Sequence, residues 1–599
     1  MKVIHCDIAI IGGSLGGVAA TYQLPSSSND RDLNIILTSA SEWLGGQLTS
    51  QGVSAPDEHA HIETFGATKT YLQLREMIRH AYQTKYNAPA IMAESILGTN
   101  MPLNPGNGWV SRLCCDPRLI LENFDISADI YHHYRPMSAV VENNQVISVK
   151  LENNAGEHLE IYAQYFLDAT DTGDLLPLTQ TAYVTGAESQ SDTGEPQAPV
   201  TARPNETQGF TYCFAVEYCA GENHTIDKPE GYDYFRDNQP YTLSPIGRDG
   251  QPVIYKMFEY SDQGNLPFWS YRRIHDGTLL GGNDISLINW ISNDYHGGNI
   301  LDVPADEQAS YLDEAKSLSL GFLYWLQTEC LRDDGGYGYP ELKLRPDVMG
   351  TSDGLSQMPY IRESRRIVPQ KRIVEQDITA EFNKGARAKH FTDSVGIGWY
   401  AMDLHPCVDN PDVSMYAPTK PFQIPLGALI PHNTKNLIPA CKNIGTTHLT
   451  NGAYRLHPIE WAIGEAASTL ANFCISQDIS PQTLYTDAWK IWRLQARLVQ
   501  RGCPIFWAID IPIDHSHFEV TQLLLVRDLL IEDSPRWHRL EIGMNQRLGD
   551  DFDLSKLKAI ANELNQEIGY MTIDTLVITP DITWESVCNL FNESMKVLA

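Results

Sequence analysis

The stretch that decides the reading of this chain is Ile8-Ala9-Ile10-Ile11-Gly12-Gly13-Ser14-Leu15-Gly16-Gly17-Val18-Ala19-Ala20-Thr21-Tyr22. An apolar run of strand length enters a turn of small residues, and the turn opens a helix. A second apolar run, Asn34-Ile35-Ile36-Leu37, predicts the next strand. Strand, glycine turn, helix, strand is the opening of a dinucleotide-binding βαβ unit. The residue types follow from the chemistry: a pyrophosphate reaches the free N–H groups of a helix N-terminus only where no bulky side chain stands in the way. Gly12 permits the tight turn, and Gly17 lets the helix pack close to the strand. In the G-x-G-x-x-G frame Ser14 replaces the middle glycine, small enough to fit and able to donate its hydroxyl to a phosphate. The acidic residue expected about 20 residues further on, for ribose hydroxyls, is missing. The second strand runs into Thr38 and Ser39, with Glu42 as the nearest carboxylate.

The chain of 599 residues is too long for one simple core and should hold two or three units. Its net charge of −31 disfavours nucleic acid and anionic membrane as partners, since both repel it. No apolar run approaches the length of a membrane span. The N-terminus enters the first strand at once, leaving no room for a signal peptide, so a cytoplasmic location is expected. The eleven cysteines form no C-x-x-C pair, and the adjacent Cys114 and Cys115 suit neither zinc spacing nor an ordinary disulfide. Buried free thiols and no metal are the expectation.

Along the chain, Tyr71, Leu74, Ile78 and Ala81 predict a helix, and residues 86–110 read as an irregular excursion rich in Pro, Gly and Asn. Asp116-Pro117 begins a short helix over 118–124. From Ile130 the period becomes two: Ile147, Val149 and Leu151 alternate with Ser148, Lys150 and Glu152 between Asn-rich turns. This β-meander feeds the buried strand Tyr165-Phe166-Leu167-Asp168, which ends in a second small-residue turn, 169–174. Residues 210–395 read as a separate mixed domain with strands near 210–218, 269–274 and 286–290, a helix over 311–331, and long loops at 219–250 and 332–356. Apolar strands at 393–400, 422–426 and 436–440 follow, then a Gly/Asn/Thr-rich loop, 443–453, and a helix starting near Pro458. The last 120 residues or so are mostly helical, one helix being stopped by Gly502 and the next capped by Asp514.

In this order the pieces resemble the FAD-dependent oxidoreductase family of the glutathione-reductase-like flavoprotein superfamily. The likeness is carried by GGSLGG at 12–17, EWLGGQLTSQG at 42–52, LDATDTGDLLPL at 167–178, MPYIRESRRIV at 358–368, DSVGIGWYAMDLHP at 393–406 and NLIPACKNIGTTHLTNGAYRLHPIEWAIGEAAS at 436–468. It implies an α/β fold: a Rossmann-type FAD-binding domain, interrupted and carrying the β-meander, an inserted mixed α+β substrate domain, and a mostly helical C-terminal region. The expected division is 1–185 and 396–475 for FAD, 186–395 for substrate, and 476–599 for the helical region. The resemblance places the pyrophosphate on the turn Gly12, Gly13, Ser14, Leu15, Gly16, Gly17, and passes Gly45, Gly46 and Gln47 along the ribityl chain or flavin. Residues 441–452, including Asn443, and the helix at Pro458 approach the pyrimidine end, with Arg455 and His457 as neighbours. Ser39 departs from the family's acidic residue, and Glu42 or a water would serve in its place.

For chemistry, Arg362-Glu363-Ser364-Arg365-Arg366 is a concentrated charge cluster. Strand alternation would put Arg362 and Arg366 on one face, where they would clamp an anionic or carbonyl-bearing substrate. A solvated edge with local ion pairs is the bland alternative. His405, two residues after Asp403, is the candidate base, with His59 and His457 behind it. The expectation is an FAD-dependent dehydrogenase or oxidase of a small organic molecule. An NAD(P)H-dependent flavin monooxygenase and a non-catalytic flavin-binding scaffold are the alternatives, and a homo-oligomer is left open.

Overall fold

Strand β1 (Lys2–Ile11) changes character halfway: its first residues are partly exposed, and Ile8 to Ile11 are buried. A strand flanked by parallel neighbours and covered on both faces needs such a continuous apolar run. The neighbours are β2 (Ile35–Ser39) and the strand His158–Asp168, both parallel to it. The computed structural model describes residues 2–22, 33–247, 250–411, 415–568 and 577–598. Within the loop expected at 219–250, residues 248 and 249 lie outside the described residues.

The main sheet has seven strands and combines parallel and antiparallel pairs. On one side of β1 lie β2 and Asp129–His132, all parallel. On the other, the eleven-residue strand His158–Asp168 serves two further partners besides β1. Its first half pairs antiparallel with Gln145–Asn153, the middle strand of the meander, and its last three residues pair parallel with Leu437–Pro439. Helix α1 (Leu15–Tyr22) follows the glycine turn and packs on the late helix His457–Gln477. A Cβ at Gly464 would lie 2.1 Å from the Gly16 carbonyl oxygen, and one at Gly16 would lie 1.9 Å from that of Ala440. Two glycines 448 positions apart thus set how closely the chain's early and late parts meet.

A second sheet, antiparallel, orders Arg273–His275, Ile285–Ile288, Phe214–Tyr218 and Leu342–Leu344. The 24-residue helix Ala305–Thr328 packs beside it through Leu318, Phe322, Leu323 and Leu326. It starts six residues before the expected 311, because Asp306 and Glu307 supply the acidic first turn a helix N-terminus favours. C-terminal helices Ala488–Gln500, Phe518–Leu525, Leu554–Ile568 and Trp584–Leu598 enclose a core that includes Trp492, Trp507 and Trp584. Among the described residues, no helix is long and apolar enough to cross a membrane.

Four expectations need correcting. The excursion 86–110 contains a hairpin, Ile91–Ser95 with Gly98–Pro102. The loop expected at 443–453 includes the helix His448–Tyr454, whose N-terminus is closed by reciprocal bonds between Thr447 and Thr450. Its seven residues are all buried, and tertiary burial overrides the weak helix propensity of Thr, Asn and Gly. Asp514 caps nothing; that helix starts at Phe518 with His517 before it. Residues 362–365 form no strand, and only Arg366–Ile367 pairs, with Tyr183–Val184.

Candidate active site

The glycine turn is shaped by what each missing side chain would strike. Gly12 has φ 113°, and its Cβ would lie 2.2 Å from the Ala169 carbonyl oxygen. At Gly13 it would lie 2.6 Å from Ser39 Oγ, and at Gly17 2.4 Å from the Gly12 oxygen. Ser14 Oγ accepts the Gly17 amide at 3.2 Å, and Leu15 is buried behind it. The Gly16 amide donates to Glu460 Oε1 at 3.1 Å, so a carboxylate already rests on the N-terminus of α1. Glu460 also accepts from Gln47 Nε2 and from Lys442 Nζ at 3.3 Å, and Lys442 reaches Asp171 at 2.8 Å.

The expected cofactor residues converge on this turn. The Gly45 amide donates to the Gly13 carbonyl at 2.9 Å, and φ is 99° at Gly45 and 48° at Gly46. Gln47 Nε2 reaches the Arg455 carbonyl at 3.1 Å, and Asn443 Nδ2 the Asp168 carbonyl at 3.0 Å. Pro458 lies in the first turn of its helix. Glu42 stands apart, its exposed carboxylate 2.8 Å from His133 Nε2. Three-ligand groupings occur at Asp171–Cys441–Glu460, which Lys442 bridges, and at Cys219–Glu222–His224 on the second sheet's margin.

A cavity of about 210 Å³ opens where loops from both sheets meet. Its walls carry Asp57, Tyr271, Arg272, Asn289, Trp290, Tyr360, Arg362, Tyr400, Asp403, His405 and Arg455. Arg362 is buried and donates to the Gly209 carbonyl at 2.8 Å, Thr211 Oγ1 at 2.9 Å and Asp294 Oδ1 at 2.8 Å. The second oxygen of Asp294 lies 2.6 Å from His405 Nδ1. Burial would raise the Asp294 carboxyl, but Arg362 and His405 outweigh it and hold its pKa well below the carboxylate range. Asp294 therefore stays ionised and fixes the His405 ring through Nδ1, while Nε2 lies 3.6 Å from Asp403 Oδ2. Burial likewise opposes ionisation of Asp403, and His405 with Arg455 draws its pKa below the ordinary value.

Each arginine at the cavity has a carboxylate. Arg272 lies 3.1 Å from Asp57, Arg362 2.8 Å from Asp294, and Arg455 3.9 Å from Asp403. Arg455 also donates to the Tyr360 hydroxyl at 2.9 Å. The guanidiniums therefore bring no surplus positive charge.

Arg366 does not share this cavity. It is fully buried among Glu363, Glu188 at 3.1 Å and the Gly186 carbonyl at 2.6 Å. The alternation argument fails because 362–365 is not extended strand, so Glu363 and Arg366 turn toward each other. His457 accepts the Asp57 amide at Nδ1 (3.1 Å) and donates from Nε2 to the Val53 carbonyl (3.2 Å), and burial lowers its pKa to about 3. His59 is buried beside Trp507 with its pKa lowered by burial to about 4. Both are neutral structural histidines. Sequence reading missed Asp294, Asp57, Arg272, Tyr360 and Tyr400. Asp294 carried a signal, an acid just past the apolar strand 285–288; the others meet the cavity only through long-range folding.

A sheet with parallel central strands, a glycine turn at its centre and a polar cavity beside it is the layout of a dinucleotide-using enzyme. The family model described as FAD dependent oxidoreductase matches residues 7–498, and the chain belongs to that family. It is an FAD-dependent oxidoreductase, with FAD as cofactor. Among solved structures it is similar to the myxobacterial chondrochloren halogenase CndH at 11% identity, over 100% of this chain and 97% of that one, TM-score 0.26. It is similar to formate oxidase at 10% identity, over 80% and 100%, TM-score 0.27. The match to L-proline dehydrogenase from P. horikoshii has 14% identity and TM-score 0.15, and covers 31% of this chain and 24% of that one. No curated protein matches the sequence.

The residues present fit the cofactor. Along the buried stretch beside the turn, Gln47 Oε1, Gln51 Nε2 and Ser54 Oγ have no hydrogen-bond partner among the described residues. Buried polar atoms are rarely left so, and a polar ligand would satisfy them.

Proposed function

We propose that the chain oxidises a small, neutral, hydroxyl- or carbonyl-bearing molecule in the 210 Å³ cavity, as a dehydrogenase or oxidase. FAD would be held by Gly12 to Gly17, Gly45 to Gln47, Asn443 and the helix at Pro458, within residues 1–185 and 396–475. Ser39, at the end of β2, is the ribose-side candidate in place of an acid. Bound FAD supplies a two-electron acceptor for hydride.

The chain's own part is proton removal and orientation. His405 Nε2 takes the hydroxyl proton, while Asp294, ionised and bonded to Nδ1, stabilises the imidazolium that forms. Arg362 holds Asp294 in place. Arg455 with the Tyr360 hydroxyl orients the substrate oxygen, and Tyr271, Tyr400 and Trp290 exclude water. The observation that carries the reading is the Asp294 carboxylate bridging Arg362 and His405 at the cavity wall. Charge matching of the three arginines favours a neutral substrate over an anion, since a second carboxylate would compete with Asp57, Asp294 and Asp403. Residues 186–395 would form the substrate side, and 476–599 a helical cover.

The test is anaerobic mixing of the FAD-loaded protein with neutral polyols and hydroxy compounds, and separately with their carboxylate analogues, following loss of oxidised-flavin absorbance. Reduction by neutral compounds is expected. Reduction by NADPH alone, with no substrate, would overturn the reading in favour of a monooxygenase.

A further inference from the structure

The segment 403–408 has two sides. His405 lines the cavity already described, and Cys407 lines a second one of about 220 Å³. His448 lines that second cavity too, its Nε2 3.9 Å from Cys407 Sγ and its Nδ1 2.9 Å from the Glu363 carboxylate. Glu363 is buried and is held in turn by Arg366 and by the Gln208 amide at 3.1 Å. Thiol, imidazole and carboxylate stand in the order of a nucleophile, its proton partner and the group that fixes that partner's ring.

We propose that Cys407 is a nucleophilic thiol that exchanges with small-molecule disulfides entering the second cavity, with His448 as proton partner and Glu363 as a positioning residue. The inference does not depend on the flavin-side chemistry. Acyl transfer, the other reaction of such a trio, needs free N–H groups for an oxyanion. The Cys407 amide donates to the Asn410 carbonyl at 3.4 Å and the Val408 amide to that of Thr207 at 2.9 Å, so both donors next to the sulfur are committed. Disulfide exchange needs neither. At rest the thiol donates to the His405 carbonyl at 3.2 Å. In the reaction that proton leaves to water, Sγ attacks one sulfur of R–S–S–R, a Cys407–S–S–R bond forms, and the original S–S bond breaks. The departing thiolate takes the Nε2 proton of His448. Cys407 is oxidised, the leaving sulfur is reduced, and no other oxidant enters.

The electrostatics say why His448 matters. Burial holds the Cys407 thiol above its ordinary value, and His448 limits that rise. Burial would lower His448 itself, but Glu363 holds the imidazolium well above its ordinary value. At Cys441 and Cys503 burial first, and then Glu460 and Glu465, hold the thiols up against Lys442 and Arg501.

The FAD-loaded full chain, mixed with hydroxyethyl disulfide and mapped by peptide mass, tests the proposal. A mixed disulfide is expected at Cys407 ahead of the other nine buried cysteines, absent in Cys407→Ser and slowed about tenfold or more in His448→Gln that keeps its flavin. An unchanged rate in that variant would overturn it. If His448→Gln does not fold, the wild type decides. Labelling of Cys407 that is insensitive to mild urea supports reaction through the cavity. Labelling only at half-buried Cys6, or at Cys407 only together with the other buried cysteines, would overturn it.

Discussion

Two arginine–carboxylate–histidine chains run through this molecule, Arg362–Asp294–His405 and Arg366–Glu363–His448. The residue types and bond lengths are alike: the histidine-to-carboxylate distances are 2.6 and 2.9 Å. The exposures are not. The His405 side chain is 26% exposed and that of His448 5%, while both carboxylates are fully buried. A histidine that ends such a chain at a cavity can trade its proton with a bound molecule. His448, enclosed beside its carboxylate, is held as the cation and faces only the second cavity. Position relative to solvent, not the residue set, is what differs between the two chains.

The largest effect expected from breaking this contrast is at His405. His405→Gln should lower kcat/KM by about 10²–10⁴-fold with flavin content unchanged, as steady-state rates and the flavin spectrum would report. Asp294→Asn should cost more in stability, about 3–5 kcal/mol by denaturant unfolding, because it leaves the buried Arg362 guanidinium without its carboxylate. Arg366→Met sharpens the comparison from the other side. It should destabilise the fold by up to a similar amount yet leave kcat/KM of the folded fraction unchanged. A selective loss of activity there would move Arg366 back to the reaction.

Gly464→Ala separates cofactor seating from chemistry. Its Cβ would lie 2.1 Å from the Gly16 oxygen, so the two helices must part. A loss of about 1–3 kcal/mol and weaker flavin retention are expected, read by unfolding and by flavin titration. His59 and His457, buried with their pKa values lowered from 6.5 to about 4 and about 3, act only as pH falls below the ordinary histidine range. With folded values below the unfolded one, the unfolded chain takes up these protons first. Their contribution is whole above the ordinary histidine pKa and is lost as pH falls toward about 4, by about 1.4 kcal/mol per pH unit for each. Unfolding midpoints across that range check the slope.

What the sequence made legible follows from the range of the interactions. The glycine turn, α1 and β2 are local: a strand, small residues and a helix within 39 positions, each forced by backbone geometry at that spot. The meander announced itself by its period of two, and the helix expected to start near Pro458 starts at His457. The cavity did not, because Asp57, Arg272, Tyr360 and Arg455 meet only after folding. Arg362 and Arg366 look equivalent in sequence, and what separates them is a backbone that is not extended between them. The helix His448–Tyr454 was hidden by composition, since Thr and Asn there cap and pack where their frequencies suggest a loop.

The central claim is that His405, oriented by Asp294, removes the proton during substrate oxidation. Single-turnover anaerobic flavin reduction by a neutral hydroxylated substrate, compared between the wild type and His405→Gln at equal flavin loading, tests it most directly. Reduction slowed about 10²-fold or more is expected in the variant, with substrate binding little changed. Equal reduction rates in the two proteins would contradict it.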